Sequence, residues 1–429
     1  MDIFTLYQEY LKNRLISTDS RNIAPGSLFF ALKGEKFDAN AFALEALEKG
    51  ARLALVDNPD LPPHDRIIQV ENVLSTLQEL ARYHRSQLSI PVIGLTGSNG
   101  KTTSKELVRA VLNQKFKVWA TQGNLNNHIG VPLTLLSILP EIEIAVVEMG
   151  ANHLGEIALL CQLAQPTHGF ITNIGKAHLG TFGSMENILR GKSELYHYLI
   201  EHKGTLFVHS QNPVLLNMAK RAANPIFYPA GEDFSHTQFL AADPYIRFRG
   251  ENGEVIHTAL LGAYNFENIA VALCVGKYFE VDPTLANAAI RQYLPSNMRS
   301  QVIKKGSNTI LLDAYNANPS SMVAALDNFS SMKGAHKLVV LGDMFELGNH
   351  EEAEHRSLGT LLAKYDFDEV YLCGPLMKFA WEEIPDAHYF PHTKDLKQAL
   401  KKHPIHQSTL LIKGSRGMGL ENILEEIHE

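Results

Sequence analysis

A glycine-rich segment carrying a lysine and two threonines is the part of this chain best suited to chemistry. Residues 94–104 read Gly-Leu-Thr-Gly-Ser-Asn-Gly-Lys-Thr-Thr-Ser after a short apolar run, which predicts a strand, a turn and a helix. In such a turn, backbone N–H groups converge on phosphate oxygens, the Lys101 ammonium neutralises them, and the Thr102 hydroxyl can bind Mg²⁺. The strict pattern requires glycine at Leu95. We interpret the segment as a nucleotide phosphate site; the alternative is a tight turn with a solvated lysine.

Three other side chains could act on a bound phosphate. Glu148 ends an apolar run and, at a strand tip beside the phosphate loop, could bind Mg²⁺ directly or through water, or could cap the next helix. His178 lies in a loop after another strand, at the edge where ligands gather in parallel sheets, but loop histidines are usually polar surface. Lys192 lies on a predicted helix, and its local sequence favours a solvated lysine.

Two asparagine-rich segments are candidates for binding polar groups. Asn126 and Asn127 lie in a loop after the predicted strand at 117–120; they could hydrogen-bond a substrate or stabilise turns. Asn265 and Asn268 precede an apolar helix and could read an adenine edge, although the sequence favours helix capping.

Polar residues also follow two strands near the end of the chain. Asp313, Tyr315 and Asn316 come after a strand at 309–312, and residues 413–417 read Lys-Gly-Ser-Arg-Gly. Such glycine turns readily bind anions. Together the two segments predict a polar cleft between domains.

The bulk properties describe an ordinary globular protein. A chain of 429 residues with 45% hydrophobic and 20% charged residues should form two or three domains. Its net charge of −7 argues against non-specific nucleic-acid binding. Three scattered cysteines indicate buried thiols in a reducing compartment. Without a signal peptide or a long apolar run, we expect a cytoplasmic protein with no membrane span.

The order of strand-like and helix-like runs predicts three α/β segments, residues 1–88, 89–297 and 298–429. In the middle segment, strands alternate with helices as a parallel sheet requires. Asn252-Gly253, between two alternating runs, predicts a hairpin late in that segment.

Taken in order, these motifs resemble those of the ATP-dependent Mur ligases of peptidoglycan synthesis over essentially the whole chain. The family marks are residues 96–103, Glu148, Asn173 with His178, Lys192 in Gly-Lys-Ser-Glu, Asn265 with Asn268, Arg299 and Asp313, and the subgroup marks are residues 121–132, 313–319, 341–348 and 413–417. Residues 17–21 resemble a UDP-binding segment of the family. Residues 38–40 read Asp-Ala-Asn where the family often has Asp-Gly-His.

The resemblance implies an α/β enzyme of three domains: an N-terminal UDP-binding domain (1–88), a central phosphate-loop ATPase domain with a parallel sheet (89–297) and a C-terminal Rossmann-like domain (298–429). It implies ATP-dependent joining of D-alanyl-D-alanine to a UDP-N-acetylmuramoyl-tripeptide through an acyl phosphate. Two Mg²⁺ ions and a CO₂-derived carbamate on Lys192 would take part. We expect a monomer. The alternatives are another Mur-type or folylpolyglutamate-type ligase, or a nucleotide-dependent regulatory protein.

The resemblance also assigns roles to individual residues. The catalytic residues would be Lys101, Glu148, His178 and Lys192. ATP would be bound by Gly97, Ser98, Asn99, Gly100, Lys101, Thr102, Thr103, Asn265, Asn268, Arg299 and Asp313. Mg²⁺ would be held by Thr102, Glu148, His178 and the carbamate of Lys192. The other substrates would be bound by Ser20, Arg21, Asn126, Asn127, Tyr315, Asn316, Lys413, Ser415 and Arg416.

Overall fold

The fold is seen in a computed structural model that describes residues 1–35, 37–295 and 298–427. The α-helices are α1 Ile3–Leu11, α2 Ala43–Glu48, α3 Val73–Ser86, α4 Lys101–Leu112, α5 Gly130–Leu136, α6 Glu156–Ala164, α7 Leu179–Phe182, α8 Met185–Glu201, α9 Pro213–Ala219, α10 Phe266–Tyr278, α11 Pro283–Gln292, α12 Pro319–Ser331, α13 Glu351–Leu362, α14 Met377–Trp381 and α15 Thr393–Lys402. The strands are β1 Ile16–Ser17, β2 Leu28–Phe30, β3 Lys33–Gly34, β4 Phe37–Asp38, β5 Leu53–Val56, β6 Ile67–Gln69, β7 Val92–Thr96, β8 Val118–Ala120, β9 Ile144–Glu148, β10 His168–Ile171, β11 Thr205–His209, β12 Ile226–Tyr228, β13 Gln238–Ala242, β14 Tyr245–Arg249, β15 Val255–Leu261, β16 Gln301–Lys305, β17 Asn308–Asp313, β18 Lys337–Gly342, β19 Glu369–Cys373, β20 His388–Phe390 and β21 Thr409–Lys413.

The first part of the chain forms a four-stranded parallel sheet in the order β1-β2-β5-β6. It is joined firmly to the middle of the chain, because the Tyr10 hydroxyl donates to Leu136 O at 2.6 Å and the Arg85 guanidinium donates to Ala164 O at 2.8 Å. Both donors are buried, so these bonds are shielded from competing water.

The middle of the chain forms the predicted parallel sheet, with six strands in the order β12-β11-β10-β7-β9-β8. Strand β7, which leads into the phosphate loop, pairs with β10 on one side and β9 on the other. In this register Leu95 lies opposite Glu148, and Thr96 opposite Ile171. The loops that follow the three strands therefore emerge at one edge of the sheet.

The hairpin prediction is confirmed. Strands β14 and β15 pair antiparallel on either side of Asn252-Gly253, and β13 adds a third strand. Gly253 takes a positive φ of 82°, a conformation that glycine adopts without a steric penalty.

The last part of the chain is a second six-stranded sheet in the order β16-β17-β21-β18-β19-β20. Only β16 pairs antiparallel; the other strands are parallel, as in a Rossmann-like fold. Strands β17 and β21 end side by side, with Asp313 in register with Lys413. This edge of the sheet faces the phosphate loop.

The predicted burial of the three cysteines is also confirmed, since Cys161, Cys274 and Cys373 are buried free thiols. In the part of the chain that the structure describes, no helix combines the length and apolar character needed to cross a membrane.

Candidate active site

A cavity of about 650 Å³ opens where the carboxyl edge of the central sheet meets the C-terminal sheet. Most of the residues predicted to bind ATP, metal or substrate contribute to its wall. Those are Ser98, Asn99, Gly100, Lys101, Thr102, Thr103, Asn126, Asn127, Glu148, His178, Asn265, Asn268, Arg299, Asp313, Tyr315, Asn316 and Lys413. Residues some 300 positions apart in sequence thus share one space, as the cleft hypothesis required.

The phosphate loop needs glycine at two positions. Gly97 has a φ of 146°, and a Cβ there would lie 1.9 Å from the Thr172 hydroxyl oxygen. Gly100 has a φ of 77°, and a Cβ there would lie 2.6 Å from Asn268 Oδ1. The loop is also hydrogen-bonded to the segment after β10, since Ser98 N donates to Asn173 O at 3.0 Å. Its conformation is therefore built into the fold before any anion binds.

Lys101 is the first residue of α4, directly after the loop. Its Nζ donates to Gly97 O at 2.8 Å. Burial lowers the pKa of Lys101 below its usual value, and the charge of Glu148 partly opposes that shift. Lys101 is therefore positioned to neutralise an anion that binds in the phosphate loop.

Glu148 is 2% exposed and is surrounded by polar groups. The Thr102 Oγ1 lies 3.1 Å from Glu148 Oε2, and Asn126 Nδ2 donates to Oε1 at 2.9 Å. A hydroxyl and a carboxylate oxygen converging beside a phosphate loop suit Mg²⁺, which binds few protein groups and takes its other oxygens from phosphates and water. Among the described residues, no group of three or more His, Cys, Asp or Glu side chains could hold a metal ion. The Thr102 and Glu148 oxygens fit a cation that takes its other ligands from phosphates and water.

His178 lies across the cavity with its Nδ1 2.6 Å from Oε2 of Glu346, which lies in the loop after β18. The carboxylate oxygen lies off the axis of the ring N–H, so this close contact is not an aligned hydrogen bond. His178 has a φ of 56°, which is uncommon for a residue other than glycine.

The expectation that Lys192 is a solvated helical lysine is wrong. Its side chain is 0% exposed, its Nζ donates to Ala151 O at 3.3 Å, and the ammonium lies 5.4 Å from the Phe182 ring centroid. Burial lowers the pKa of Lys192 to about 7; the charge of Lys101 adds to the lowering and nearby glutamates oppose it. A buried amine that is partly neutral near pH 7 can act as a nucleophile, which a solvated lysine cannot.

The helix-cap hypothesis for Asn265 and Asn268 is also wrong. Asn265 occupies the N-cap position of α10, but its side chain makes no capping hydrogen bond and donates to Leu261 O at 2.8 Å. Asn268 Nδ2 donates to Asn265 Oδ1 at 2.8 Å, and Ser104 Oγ donates to Asn268 Oδ1 at the same distance. The two amides instead join α10 to α4 beneath Gly100.

The C-terminal wall of the cavity carries most of its cations. Lys413, 2% exposed, forms an ion pair with Asp313 Oδ2 at 2.6 Å. The Arg299 guanidinium stacks on Tyr315, 3.8 Å from the ring centroid. Cation–π stacking holds the guanidinium plane while leaving its N–H groups able to bind an anion.

Four predicted substrate residues lie elsewhere. Ser415 is buried behind the wall and accepts a hydrogen bond from Phe345 N at 2.9 Å, and the Arg416 guanidinium lies 5.9 Å from the Tyr315 ring centroid. Ser20 and Arg21 lie on the N-terminal part of the chain, where Arg21 pairs with Asp19.

The residue-by-residue reading missed Lys105, which lies beneath the site. It is 1% exposed, and its Nζ donates to Thr121 O at 2.6 Å and lies 3.9 Å from Glu148 Oε2. Thr121 Oγ1 in turn accepts from Glu148 N at 3.0 Å. The signal was present, since Lys105 follows Lys101 by four residues and so shares its helix face.

Comparison with known proteins accounts for this arrangement. Three family models match the chain: the Mur ligase family catalytic domain at residues 13–85, the Mur ligase middle domain at 95–276 and the Mur ligase glutamate ligase domain at 298–416. The UDP-N-acetylmuramoyl-tripeptide–D-alanyl-D-alanine ligase of Bacillus subtilis is 37% identical over 96% of this chain and 93% of its own length. The chain belongs to the Mur ligase family.

Other Mur ligases agree with this assignment. The ligase of the same name from Escherichia coli is 34% identical over 96% of this chain and 93% of its own length. The crystal structure of MurF from Acinetobacter baumannii has a TM-score of 0.87 at 31% identity, covering 96% of this chain and 92% of that one. MurF ligase from Thermotoga maritima, solved in complex with ADP, has a TM-score of 0.84 at 29% identity, covering 97% of both chains. The α/β Mur ligase fold expected from the motifs is therefore confirmed.

Proposed function

We propose that this chain is an ATP-dependent, ADP-forming ligase that joins D-alanyl-D-alanine to a UDP-N-acetylmuramoyl-tripeptide. The observation that carries the proposal is one cavity lined by a phosphate loop, the buried Glu148 and the Lys413–Asp313 pair. It occurs in a chain that matches a ligase of this name over nearly its whole length. Within the site, binding and orientation account for most of the proposed rate enhancement, as in other phosphoryl transfers.

The proposed reaction has two displacement steps. The terminal carboxylate of the tripeptide attacks the γ-phosphorus of ATP, forming an acyl phosphate and releasing ADP. The neutral amine of D-alanyl-D-alanine then attacks the acyl carbon, an amide bond forms, phosphate leaves with the C–O bond electrons, and the proton lost from the nitrogen passes to solvent. Lys101 and the N–H groups of the phosphate loop stabilise charge on the transferring phosphoryl group. Asn268, with Asn265, is proposed to contact adenine, Asp313 the ribose and Arg299 the phosphates.

Two Mg²⁺ ions are proposed to screen the negative charge of the reactants. Thr102 and Glu148 would hold one ion. His178 and a carbamate on Lys192 would contribute to the second. The carbamate forms when the neutral Lys192 amine attacks CO₂, making an N–C bond and losing one proton. The low pKa of Lys192 supports this modification, because it leaves a large share of the amine unprotonated at neutral pH.

The remaining assignments are proposed because the chain resembles the family. The substrate-facing residues would be Asn126 and Asn127 for the muramoyl peptide, Tyr315, Asn316, Lys413, Ser415 and Arg416 for the groups at the C-terminal wall, and Ser20 and Arg21 for UDP. The domain boundaries at 88/89 and 297/298 are proposed on the same basis. We expect the chain to act as a monomer in the cytoplasm.

The direct test is a product assay. The protein is incubated with ATP, Mg²⁺, the UDP-muramoyl-tripeptide and D-alanyl-D-alanine, and the pentapeptide product and released phosphate are measured. Lys101→Met should lose activity, whereas Lys333→Met, at a lysine whose side chain is 90% exposed, is the matched control. Phosphate release that does not depend on D-alanyl-D-alanine would contradict the proposal. Product with a different amine acceptor would favour another ligase of the family, and nucleotide binding without product would favour a regulatory protein.

The carbamate has a separate test. With ¹³C-bicarbonate, the wild type should show a carbamate carbon signal by NMR that Lys192→Met lacks. A signal that persists in the variant would assign it to another amine and contradict the role of Lys192.

A further inference from the structure

A buried lysine beneath the phosphate site has no role in the reaction described so far. Lys105 is 1% exposed and is not among the described residues that line the cavity. Its Nζ lies 3.1 Å from Glu106 Oε1 and 3.9 Å from Glu148 Oε2. The Glu106 carboxylate is partly exposed and is shared with Arg109, so it neutralises the Lys105 ammonium only in part. The other carboxylate, Glu148, faces the cavity.

The Glu148 carboxylate is held between this lysine and the cavity. On the cavity side, Asn126 Nδ2 donates to Oε1 at 2.9 Å, and Thr102 Oγ1 lies 3.1 Å from Oε2. From beneath, the Lys105 ammonium approaches the same Oε2. The carboxylate that would bind a cation together with Thr102 therefore already faces a fixed positive charge.

The hydrogen bond from Lys105 to Thr121 does not explain why this residue is charged. Thr121 is also held by its own N–H, which donates to Val146 O at 3.0 Å, and by its hydroxyl, which accepts from Glu148 N at 3.0 Å. The bond from Lys105 Nζ to Thr121 O, 2.6 Å long, could be made by a neutral amide. An uncharged donor would avoid the cost of removing an ammonium from water. The charge is therefore better explained by its effect on Glu148.

A positive charge beneath a metal ligand lowers the affinity of that ligand for a free cation. By Coulomb's law, a unit charge about 4–6 Å from a divalent cation weakens its binding about 10-fold or more, even at the dielectric constant of water. Nucleotide phosphates change this balance, because they bring negative charge and further oxygen ligands for the cation.

We propose that Lys105 makes cation binding at Glu148 conditional on the nucleotide. Its charge prevents the carboxylate from retaining a divalent cation when the phosphate loop is empty, and the phosphates of a bound nucleotide overcome this repulsion. Lys105 acts through Glu148 and is not itself a ligand of the cation. The inference rests on the proposed function for the identity of the nucleotide and the cation.

The test compares two uncharged substitutions of Lys105 with a matched control. Lys105→Met removes the charge in a side chain that suits a buried position. Lys105→Gln removes the charge and keeps an N–H donor for Thr121 O. Lys115→Gln is the control, because Lys115 also donates to a main-chain carbonyl, Phe279 O at 3.1 Å, but lies beyond the opposite end of α4.

The measurement is Mn²⁺ binding to the nucleotide-free protein, followed by electron paramagnetic resonance. Both Lys105 variants should bind Mn²⁺ about 10-fold more tightly than the wild type, and Lys115→Gln should bind it as the wild type does. Adding Glu148→Gln to Lys105→Met should abolish the gain, which assigns the bound Mn²⁺ to this carboxylate. A lysine with a purely structural role would give the opposite result, because its loss would disorder the ligands and weaken binding.

Unchanged or weaker Mn²⁺ binding in the Lys105 variants would overturn the inference, as would a gain that persists when Glu148→Gln is added. The wild type provides a check that needs no folded Lys105 variant: stoichiometric Mn²⁺ binding without nucleotide, lost in Glu148→Gln, would also overturn it. Failure of the proposed function is distinguishable, because it would appear in the product assay as a wild type that makes no pentapeptide, whatever the Lys105 variants do to Mn²⁺ binding.

Discussion

The buried Lys192 ammonium should destabilise the fold by an amount that depends on pH. Its pKa is lowered from 10.5 to about 7, mainly by burial. At about 1.4 kcal/mol per pH unit, this lowering corresponds to a cost on the order of 5 kcal/mol for the charged form in the folded state. Lys192→Met keeps an unbranched apolar side chain and removes the charge, so it should recover much of that free energy of unfolding.

The direction of this pH dependence follows from how many protons the folded and unfolded states bind. The unfolded chain holds the Lys192 proton up to a pH near 10.5, whereas the folded chain releases it near 7. Below pH 7 both states are protonated and the whole cost is present; between these values the unfolded state binds more protons, so stability rises with pH. The advantage of the variant should therefore be greatest near pH 6 and fall to about 1.4 kcal/mol at a pH of about 9.5.

The two tryptophans of the chain allow the free energy of unfolding to be measured for the central domain, which contains Lys192. Trp119 lies on β8 of the central sheet and Trp381 at the end of α14. In a Trp381→Phe background, urea unfolding followed by fluorescence reports the central domain alone. Both proteins are compared in bicarbonate-free buffer near pH 6, 8 and 9.5, and the difference between them cancels the other titrating groups.

A stability difference that stays constant across this pH range would refute the reasoning, as would a variant less stable than the wild type near pH 6. Adding bicarbonate provides an internal control. It should stabilise the wild type above pH 7, where the neutral amine can be trapped as carbamate, and leave Lys192→Met unchanged.

Three further predictions concern the docked walls. Gly180→Ala introduces a Cβ that would overlap Gly348 while remaining compatible with its own helix; in the product assay kcat should fall about 100-fold, as expected for a small misplacement of reacting groups. Lys413→Met leaves Asp313 without its ion-pair partner and should cost about 3 kcal/mol in the Trp381-reported urea transition, the low end for buried pairs because Asp313 is partly exposed. Asn318→Ala removes the N-cap of α12 and the hydrogen bond from the Asn318 side-chain amide to Asn99 of the phosphate loop. It should lower the free energy of unfolding by about 1 kcal/mol and raise KM for ATP.

Local sequence was sufficient for the elements that carry strong local signals. The predicted strands at 117–120 and 309–312 coincide with β8 and β17 to within one residue at each end. Both are largely apolar segments that are mostly buried in their sheets. The short strands β1, β12, β16 and β20 were not predicted, because two to five residues of mixed burial form strands only through long-range pairing.

The errors at the site arose where burial or partner choice decides the role of a residue. Lys192 shares a helix face with the buried Ile188, Leu195 and Leu199. This pattern is typical of a buried position, but the prediction of a solvated lysine followed the residue type and overlooked it. What covers its ammonium, Phe182, belongs to another helix and could not be inferred from local pattern. Asn265 likewise has the right position for a cap, but its amide finds better partners in the tertiary structure.

The way the two walls are joined has a consequence for how the site works. Among the described residues, the polar links between them include hydrogen bonds from Asn318 Nδ2 to Asn99 Oδ1 of the phosphate loop, from Lys176 N to Ser320 Oγ and from Gly180 N to Glu346 O, and the close pairs Lys176–Glu354 and His178–Glu346. Each such contact contributes about 1 kcal/mol or less. A ligand that contacts Lys101 on one wall and Arg299 on the other can add more than all of them. Docking of the C-terminal sheet should therefore depend on what occupies the cavity.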